Sequence, residues 1–309
     1  METNNCPLVS VPVITYNSSK TVLETLESIK AQTYQNIELI ISDDCSTDNT
    51  VQVCKDWIAN NKERFARTVM LESPVNTGIS ANGNRAEDAC HGEWIKTIAG
   101  DDILLPECIG KFVEFVNEHP ESIFVFCKFH VFGDNGGEHS FIEDETCLRN
   151  DKMSIMSSEE QLDFVMKGLT PPAPCLFYCA KKARQLGVRN DERIKMIEDW
   201  PKWIQYLTSG NKFLFIDEFL VKYRVGGIST SQKWQSPLVF KSKRQVYYYY
   251  LFEKEYAQNK QDTLDRLIEF DCNLYNSYWK EHLITERIRR SIFYKLYQIM
   301  RHLEICKHH

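Results

Sequence analysis

The chain predicts an α/β fold: a mostly parallel central sheet flanked by helices, followed by a helical C-terminal extension. Three observations carry this. Short apolar runs alternate with helical segments of about 10–15 residues, the pattern of βαβ units. Two of these runs end in adjacent carboxylates, Asp43-Asp44 and Asp101-Asp102, and open α/β sheets bind ligands at the carboxyl ends of their strands. No G-x-G-x-x-G follows the first run and no G-x-x-x-x-G-K-S/T occurs, which argues against dinucleotide oxidoreductases and P-loop enzymes.

Residues 8–17 open the sheet, apolar as far as Ile14 and polar at Thr15-Tyr16-Asn17. Pro12 cannot donate to a ladder and makes this strand irregular. Residues 21–33 form a helix with Val22, Leu26 and Ile29 on one face, the spacing of an amphipathic helix. The second strand, 37–42, runs into Asp43-Asp44, and Ser46-Thr47-Asp48 supplies N-cap chemistry for a helix to about residue 60. A third strand at 68–72 is followed by a turn at 73–78 and a short helix at 80–90. The run from Trp94 ends at Asp101-Asp102, and Pro106 opens a helix to His119. Residues 122–131 form a further strand, Gly133 to Gly137 a loop, and 138–151 a polar, irregular stretch. A helix at 159–168 precedes the break Pro171-Pro172-Ala173-Pro174 and a short strand at 175–179. Asp199-Trp200-Pro201 starts a helix to Thr208, with Gly210 as its C-cap. Strands at 213–216 and 220–224 close the domain. The character changes near Ser231, so the expected organisation is a domain of residues 1–231 and a helical extension of residues 232–309.

Composition is ordinary for a globular protein with a sizeable core: 43% hydrophobic and 26% charged over 309 residues. A net charge of −6 argues against a nucleic-acid binder. Eleven scattered cysteines without a C-x-x-C pair suit reduced thiols. No signal-peptide pattern precedes Leu8 and no apolar run reaches the length of a membrane span. The expectation is a cytoplasmic chain, soluble or peripheral at the inner face of the membrane. Residues 286–307 carry Ile288, Ile292, Leu296, Ile299 and Leu303 as one stripe, and residues 280–309 hold seven Lys/Arg against three Asp/Glu, a charge of +4. Such a segment lies on an anionic membrane surface, or packs on its own domain or a second chain. Packing is the commoner use of an apolar stripe.

The acid pairs suggest chemistry. A buried Asp pair is costly unless a cation neutralises it, and Mg²⁺ or Mn²⁺ arriving with a diphosphate does so through one or two carboxylates. The simpler alternative is that Asp101 or Asp102 caps the following helix. Tyr16 is suited to stack on a nucleobase, and an Asp to accept from its N–H. Asp199 suits either a helix cap or a general base taking a hydroxyl proton; spacing leaves both open. Trp203, at helical spacing from Trp200, fits the core better than an acceptor-sugar platform.

Together the motifs resemble the inverting GT-A glycosyltransferases of family 2. The resemblance runs through Val9-Ser10-Val11, Thr15-Tyr16-Asn17, Ser28-Ile29-x-x-Gln32-Thr33-Tyr34 and Asp43-Asp44-x-Ser46-x-Asp48-x-Thr50. It continues through Asn76-x-Gly78, Asn84, Gly92-Glu93 and Asp101-Asp102, covering about residues 7–230. It implies transfer of a sugar from a nucleotide-diphosphate donor, a UDP-sugar foremost, to a glycan or lipid-linked acceptor in surface polysaccharide synthesis. It assigns the base pocket to Thr15 and Tyr16 with Asn17 beside them, and the base contact to Asp44. It further implies that Asp102 binds Mn²⁺ or Mg²⁺, that Asp101 lies near the ribose and sugar, that the stretch from Ser80 to Asn84 flanks the donor, and that Asp199 is the catalytic base. Two departures stand out. No His follows Tyr223-Arg224, where the family often completes its metal site, and Gly83 stands where an Arg commonly precedes the Asn. A sugar nucleotidyltransferase needs a Gly-rich basic loop after the first strand, and Asn17-Ser18-Ser19-Lys20 is poor in glycine. The missing His also keeps open a nucleotide-sugar-binding module without turnover.

Overall fold

Strand β1 (Val9–Thr15) pairs in parallel along its whole length with β2 (Ile37–Asp43), and β2 with β3 (Arg67–Glu72). Helices α1 (Val22–Lys30), α2 (Thr50–Asn61) and α3 (Ile79–Asp88) are the crossovers. Ile37, Leu39, Ile40 and Ile41 are all fully buried, as expected for a parallel strand covered on both faces. In this computed structural model the described residues are 6–133, 139–225, 237–246 and 249–250. All of them lie within the unit Met1–Glu255.

The run from Trp94 is two short strands, β4 (Trp94–Ile95) and β5 (Ile98–Ala99), both parallel to β1. They pair with Val9–Ser10 and Val13–Ile14, so the break at Lys96-Thr97 falls opposite Val11-Pro12. Pro12 has no N–H to offer there, and the ladder parts where the donor is missing.

After β6 (Ile103–Leu104) and α4 (Cys108–Glu118), β7 (Phe124–Phe132) leads into α5 (His139–Ser154) and α6 (Ser158–Met166). Then come β8 (Leu176–Cys179), α7 (Ala180–Gln185), α8 (Asp199–Thr208), β9 (Leu214–Arg224) and α9 (Pro237–Val246). The sheet order is β3-β2-β1-β4-β8-β7-β9-β6, with β5 also on β1. This second half is mixed: β8 is antiparallel to β4 and β7, β6 is antiparallel to β9, and β7 is parallel to β9.

Three elements differ from the sequence expectation. The stretch expected to be irregular contains α5, whose apolar residues show no helical period. The two expected strands at 213–224 are one strand: its pairing with β7 continues through a bulge opposite Lys128, and the polar centre faces solvent, where Lys128 pairs with Asp217 and Lys111 with Glu218 at 3.4 Å. Strand β6 falls between Asp102 and the helix expected from Pro106, where no element was expected.

Helix α8 is held by an aromatic cluster. Phe124 stacks on Tyr206 at 4.1 Å, Phe126 meets the edge of Trp203 at 5.3 Å, and the Trp203 indole N–H donates to Pro171 O at 3.2 Å. Trp203 is therefore core. The nine described cysteines are free thiols. Among the described residues no helix is long and apolar enough to cross a membrane. The expected boundary near Ser231 and the basic stripe of residues 286–307 lie outside the described residues.

Candidate active site

The parallel register brings three strand ends together. Thr15 stands opposite Asp43, and Ala99 opposite Ile14, so Asp101 and Asp102 leave the sheet beside Thr15. Asp43 builds the rim: its carboxylate accepts from Thr15 Oγ1 at 2.8 Å, Ser46 N at 2.8 Å and Ser46 Oγ at 2.6 Å. Asn17 and Cys45 sit at φ +52° and +66°. The left-handed region is costly for residues other than glycine, least so for Asn. Asn17 is locked there by donating from its backbone to Ser46 Oγ and accepting from Thr47 N, both at 2.8 Å. Between these fixed points Tyr16 is left 42% exposed at the mouth.

Asp44 is buried and its carboxylate is well satisfied. It accepts from Thr77 N at 3.0 Å to each oxygen, Thr77 Oγ1 at 2.6 Å, Gly78 N at 2.7 Å and Arg85 at 3.2 Å. Gly78 has φ +91°, and a Cβ there would lie 3.1 Å from Lys195 O, so glycine is required on both counts. Arg85 also donates to Ser42 Oγ at 3.0 Å and Asn82 Oδ1 at 2.8 Å. Sequence reasoning missed Arg85 because it looked for the guanidinium at Gly83. A Cβ at Gly83 would lie 2.8 Å from Asn190 Nδ2. The usable signal was the i, i+3 spacing of Asn82 and Arg85, which puts both on one helix face.

Helix α3 also reaches the segment ahead of α8. Ile79 N donates to Lys195 O at 3.0 Å, Ser80 Oγ donates to Ile194 O, and Asn84 Nδ2 donates to Asn190 O at 3.0 Å and Glu192 at 2.8 Å. Asn84 thus has its donors on the 190–192 turn, one layer behind the strand ends. Its Oδ1 is buried without a hydrogen-bond partner.

Asp102 is 1% exposed and accepts from Arg224 N at 2.8 Å; Arg224 Nε donates to Asp101 O at 2.9 Å. Burial, then the neighbouring Asp101, pushes the Asp102 carboxyl well above the usual range. Burial also raises Asp101, against the opposing pull of Arg224. The pair is an anionic site short of positive charge. Among the described residues no group of three or more His, Cys, Asp or Glu side chains is placed to hold a metal alone.

Glu198 and Asp199 stand at the start of α8, half-buried. Glu198 makes no capping bond onto the helix, and among the described residues Asp199 accepts from the adjacent Trp200 N at 2.8 Å. Burial pushes Asp199 up to about 6, and burial plus Asp199 pushes Glu198 up to about 8. At neutral pH the two carboxyls hold roughly one proton between them. The Trp200 indole N–H is tied to Val165 O at 2.8 Å.

The chain belongs to glycosyl transferase family 2, whose sequence profile matches residues 10–178. EpsE of Bacillus subtilis, named as a glycosyltransferase, is 29% identical over 222 residues, 72% of this chain and 74% of that protein. TuaG of the same organism, named for teichuronic acid biosynthesis, is 26% identical over 236 residues, 76% and 86% of the two chains. TarS residues 1–349 of S. aureus, in complex with UDP-GlcNAc, superposes with a TM-score of 0.61 at 19% identity, covering 91% of this chain and 77% of that one. Against the longer TarS chain the coverage is 46% of its length. These superpositions show the GT-A fold.

Proposed function

We propose that the chain moves a hexosyl or N-acetylhexosaminyl group, with inversion, from a UDP-sugar to a hydroxyl of a glycan or lipid-linked acceptor in surface polysaccharide synthesis. The observation that carries this is the convergence of the β1, β2 and β5 ends, which gathers Thr15, Tyr16, Asn17, Asp44, Asp101 and Asp102 at one edge. Exposed Tyr16 suits stacking on the uracil. Asp44, braced by Thr77, Gly78 and Arg85, is the acceptor read for the uracil N–H. Asn84 then acts from behind, holding the 190–192 turn against the donor side. The UDP-GlcNAc complex of TarS and the name of TuaG support the donor and acceptor classes.

The acid pair fits a divalent cation: two adjacent carboxylates, one sealed from solvent, gain from positive charge. Asp102 would hold Mn²⁺ or Mg²⁺, with Asp101 beside it. When bound, the ion neutralises charge on the departing diphosphate. Asp199 takes the acceptor proton as the hydroxyl attacks the anomeric carbon from the face opposite the diphosphate. A nucleotidyltransferase is disfavoured because three backbone donors of the loop after β1 are already engaged: Asn17, Ser18 and Ser19 N–H go to Ser46, Thr50 and Asp48. The basic stripe of residues 286–307 supports a station at the inner membrane face or pairing of two chains.

A thermal-shift screen with UDP-, GDP- and dTDP-sugars, with and without Mn²⁺, tests this. The expected result is stabilisation by a UDP-sugar that requires Mn²⁺, followed by slow donor hydrolysis. No response to any nucleotide sugar would refute the function; binding without any turnover would leave a non-catalytic module.

A further inference from the structure

Behind the proposed base lies a second charged pair that the chemistry above does not use. Lys202 Nζ meets Glu87 Oε1 at 2.6 Å, and Lys202 is only 4% exposed. Its ammonium stands 3.4 Å from the Tyr178 hydroxyl and 4.5 Å from the centre of that ring. Lys202 follows Asp199 by three positions and Glu198 by four, so all three share one face of the first turns of α8. Glu87 sits on α3, the helix whose Arg85 reaches Asp44 and whose Ser80 and Asn84 hold the 190–194 turn.

A buried ion pair is a poor way to gain stability. Two apolar side chains of similar size often do as well or better. Helix α8 is already packed on β7 through the Trp203 and Tyr206 cluster, so its packing does not call for charge here. What charge adds is electrostatic balance beneath two carboxylates that would otherwise repel in a half-buried site.

We propose that the Lys202–Glu87 pair is a positioning device for the base, fastening the first turn of α8 to α3 and supplying the charge balance beneath Glu198 and Asp199. It rests on the reading of Asp199 as base. Lys202 from α8 and Glu87 from α3 act on Glu198, and Lys243 from α9 acts on Asp199. Lys202 favours the ionised form of Glu198, while Glu87 opposes it. The two partners therefore act with opposite sign, and this separates an electrostatic role from a structural one. A purely structural pair loses the same contact whichever partner is removed.

The test is the pH–rate profile of sugar transfer between pH 5 and 9 for Lys202→Met, Glu87→Gln and the double variant, with the donor KM measured alongside. The inflections should move up in Lys202→Met and down in Glu87→Gln, by roughly half a pH unit or more. The upper one should move furthest, because Glu198 faces the pair. The double variant should return towards wild type, and kcat should fall while donor KM stays within about twofold of wild type. Inflections that stay in place, or that move the same way in both single variants, would overturn the proposal. Should Lys202→Met not fold, Glu87→Gln decides by itself: a downward move supports the pair, and none refutes it. Asp199→Asn, run in parallel, keeps the two claims apart. If it transfers normally, the base assignment has failed. If it is inactive while the charge variants leave the profile unmoved, only the pairing claim has failed.

Discussion

The backbone N–H of Arg224 stands 2.8 Å from a carboxylate oxygen of Asp102, joining the end of β9 to the acid pair that follows β5. A single neutral donor does not balance a buried charge. A carboxyl raised in the folded state lowers stability progressively as pH climbs from its unfolded value, near 4, through its folded one. At neutral pH, Asp102 therefore weakens the donor-free protein.

Asp102→Asn should accordingly stabilise the donor-free chain at pH 7, by an amount on the order of 1 kcal/mol or about 2–4 °C in Tm. The gain should shrink as pH falls through 4 and vanish below about pH 3, where the wild-type carboxyl is protonated in both states. The same variant should lose the Mn²⁺-dependent part of donor binding. A variant less stable at pH 7 that keeps its Mn²⁺ dependence would contradict the metal assignment. Calorimetry on the wild type should detect Mn²⁺ only with a nucleoside diphosphate present, because one or two carboxylates are a poor site alone.

Arg85 braces Asp44 while also bonding Ser42 and Asn82. Charge-assisted hydrogen bonds contribute about 1.5–3 kcal/mol, so Arg85→Ala should weaken donor binding by roughly 10–100-fold. Lys should not rescue it, having no planar fork to serve three acceptors. Equilibrium binding of the donor checks both; unchanged affinity in Arg85→Ala would show that the brace does not support the base pocket.

Much of this site was legible before the fold was known, and for a physical reason. Strand ends in a parallel sheet are marked by the switch from apolar to polar residues, so Thr15, Asp44 and Asp102 announce themselves in the chain. What stayed hidden depends on contacts between distant segments. Arg85 matters because it reaches from α3 to Asp44 and Ser42 on β2 and the loop after it. Asn84 looked like a donor-side residue but turns its donors to the 190–192 turn. The helix α5 was invisible because its sequence has no apolar period, and β9 looked broken because its centre at Asp217-Glu218 is polar and bulges from β7 at Lys128.

Trp203 offers a check on that division. Its side chain is buried against Phe126 and Phe213, with its N–H on Pro171 O. Truncation of such a residue typically costs about 3–5 kcal/mol. Trp203→Ala should therefore unfold at much lower denaturant, while Trp203→Phe keeps most of the transfer activity. Full stability with a raised acceptor KM in Trp203→Ala would instead make it an acceptor platform.

The acid side of the pH–rate profile follows from the start of α8. Asp199 is a base only when ionised, and burial pushes it up to about 6. Transfer should rise through pH 6 and approach its plateau by pH 7. A rate already at its plateau at pH 5 would mean that the titrating base is another group.

The most direct measurement is sugar transfer by Asp199→Asn, with donor affinity determined on the same preparation. Asn keeps the size of Asp and can still accept from Trp200 N, so the fold and the start of α8 should survive. Loss of a general base typically costs ~10²–10⁴-fold in rate. The expected result is a fall of that size in transfer with donor affinity unchanged, since Asp44, Asp101 and Asp102 are untouched. Transfer at close to the wild-type rate would contradict the assignment of Asp199 and make Glu198 the next residue to test.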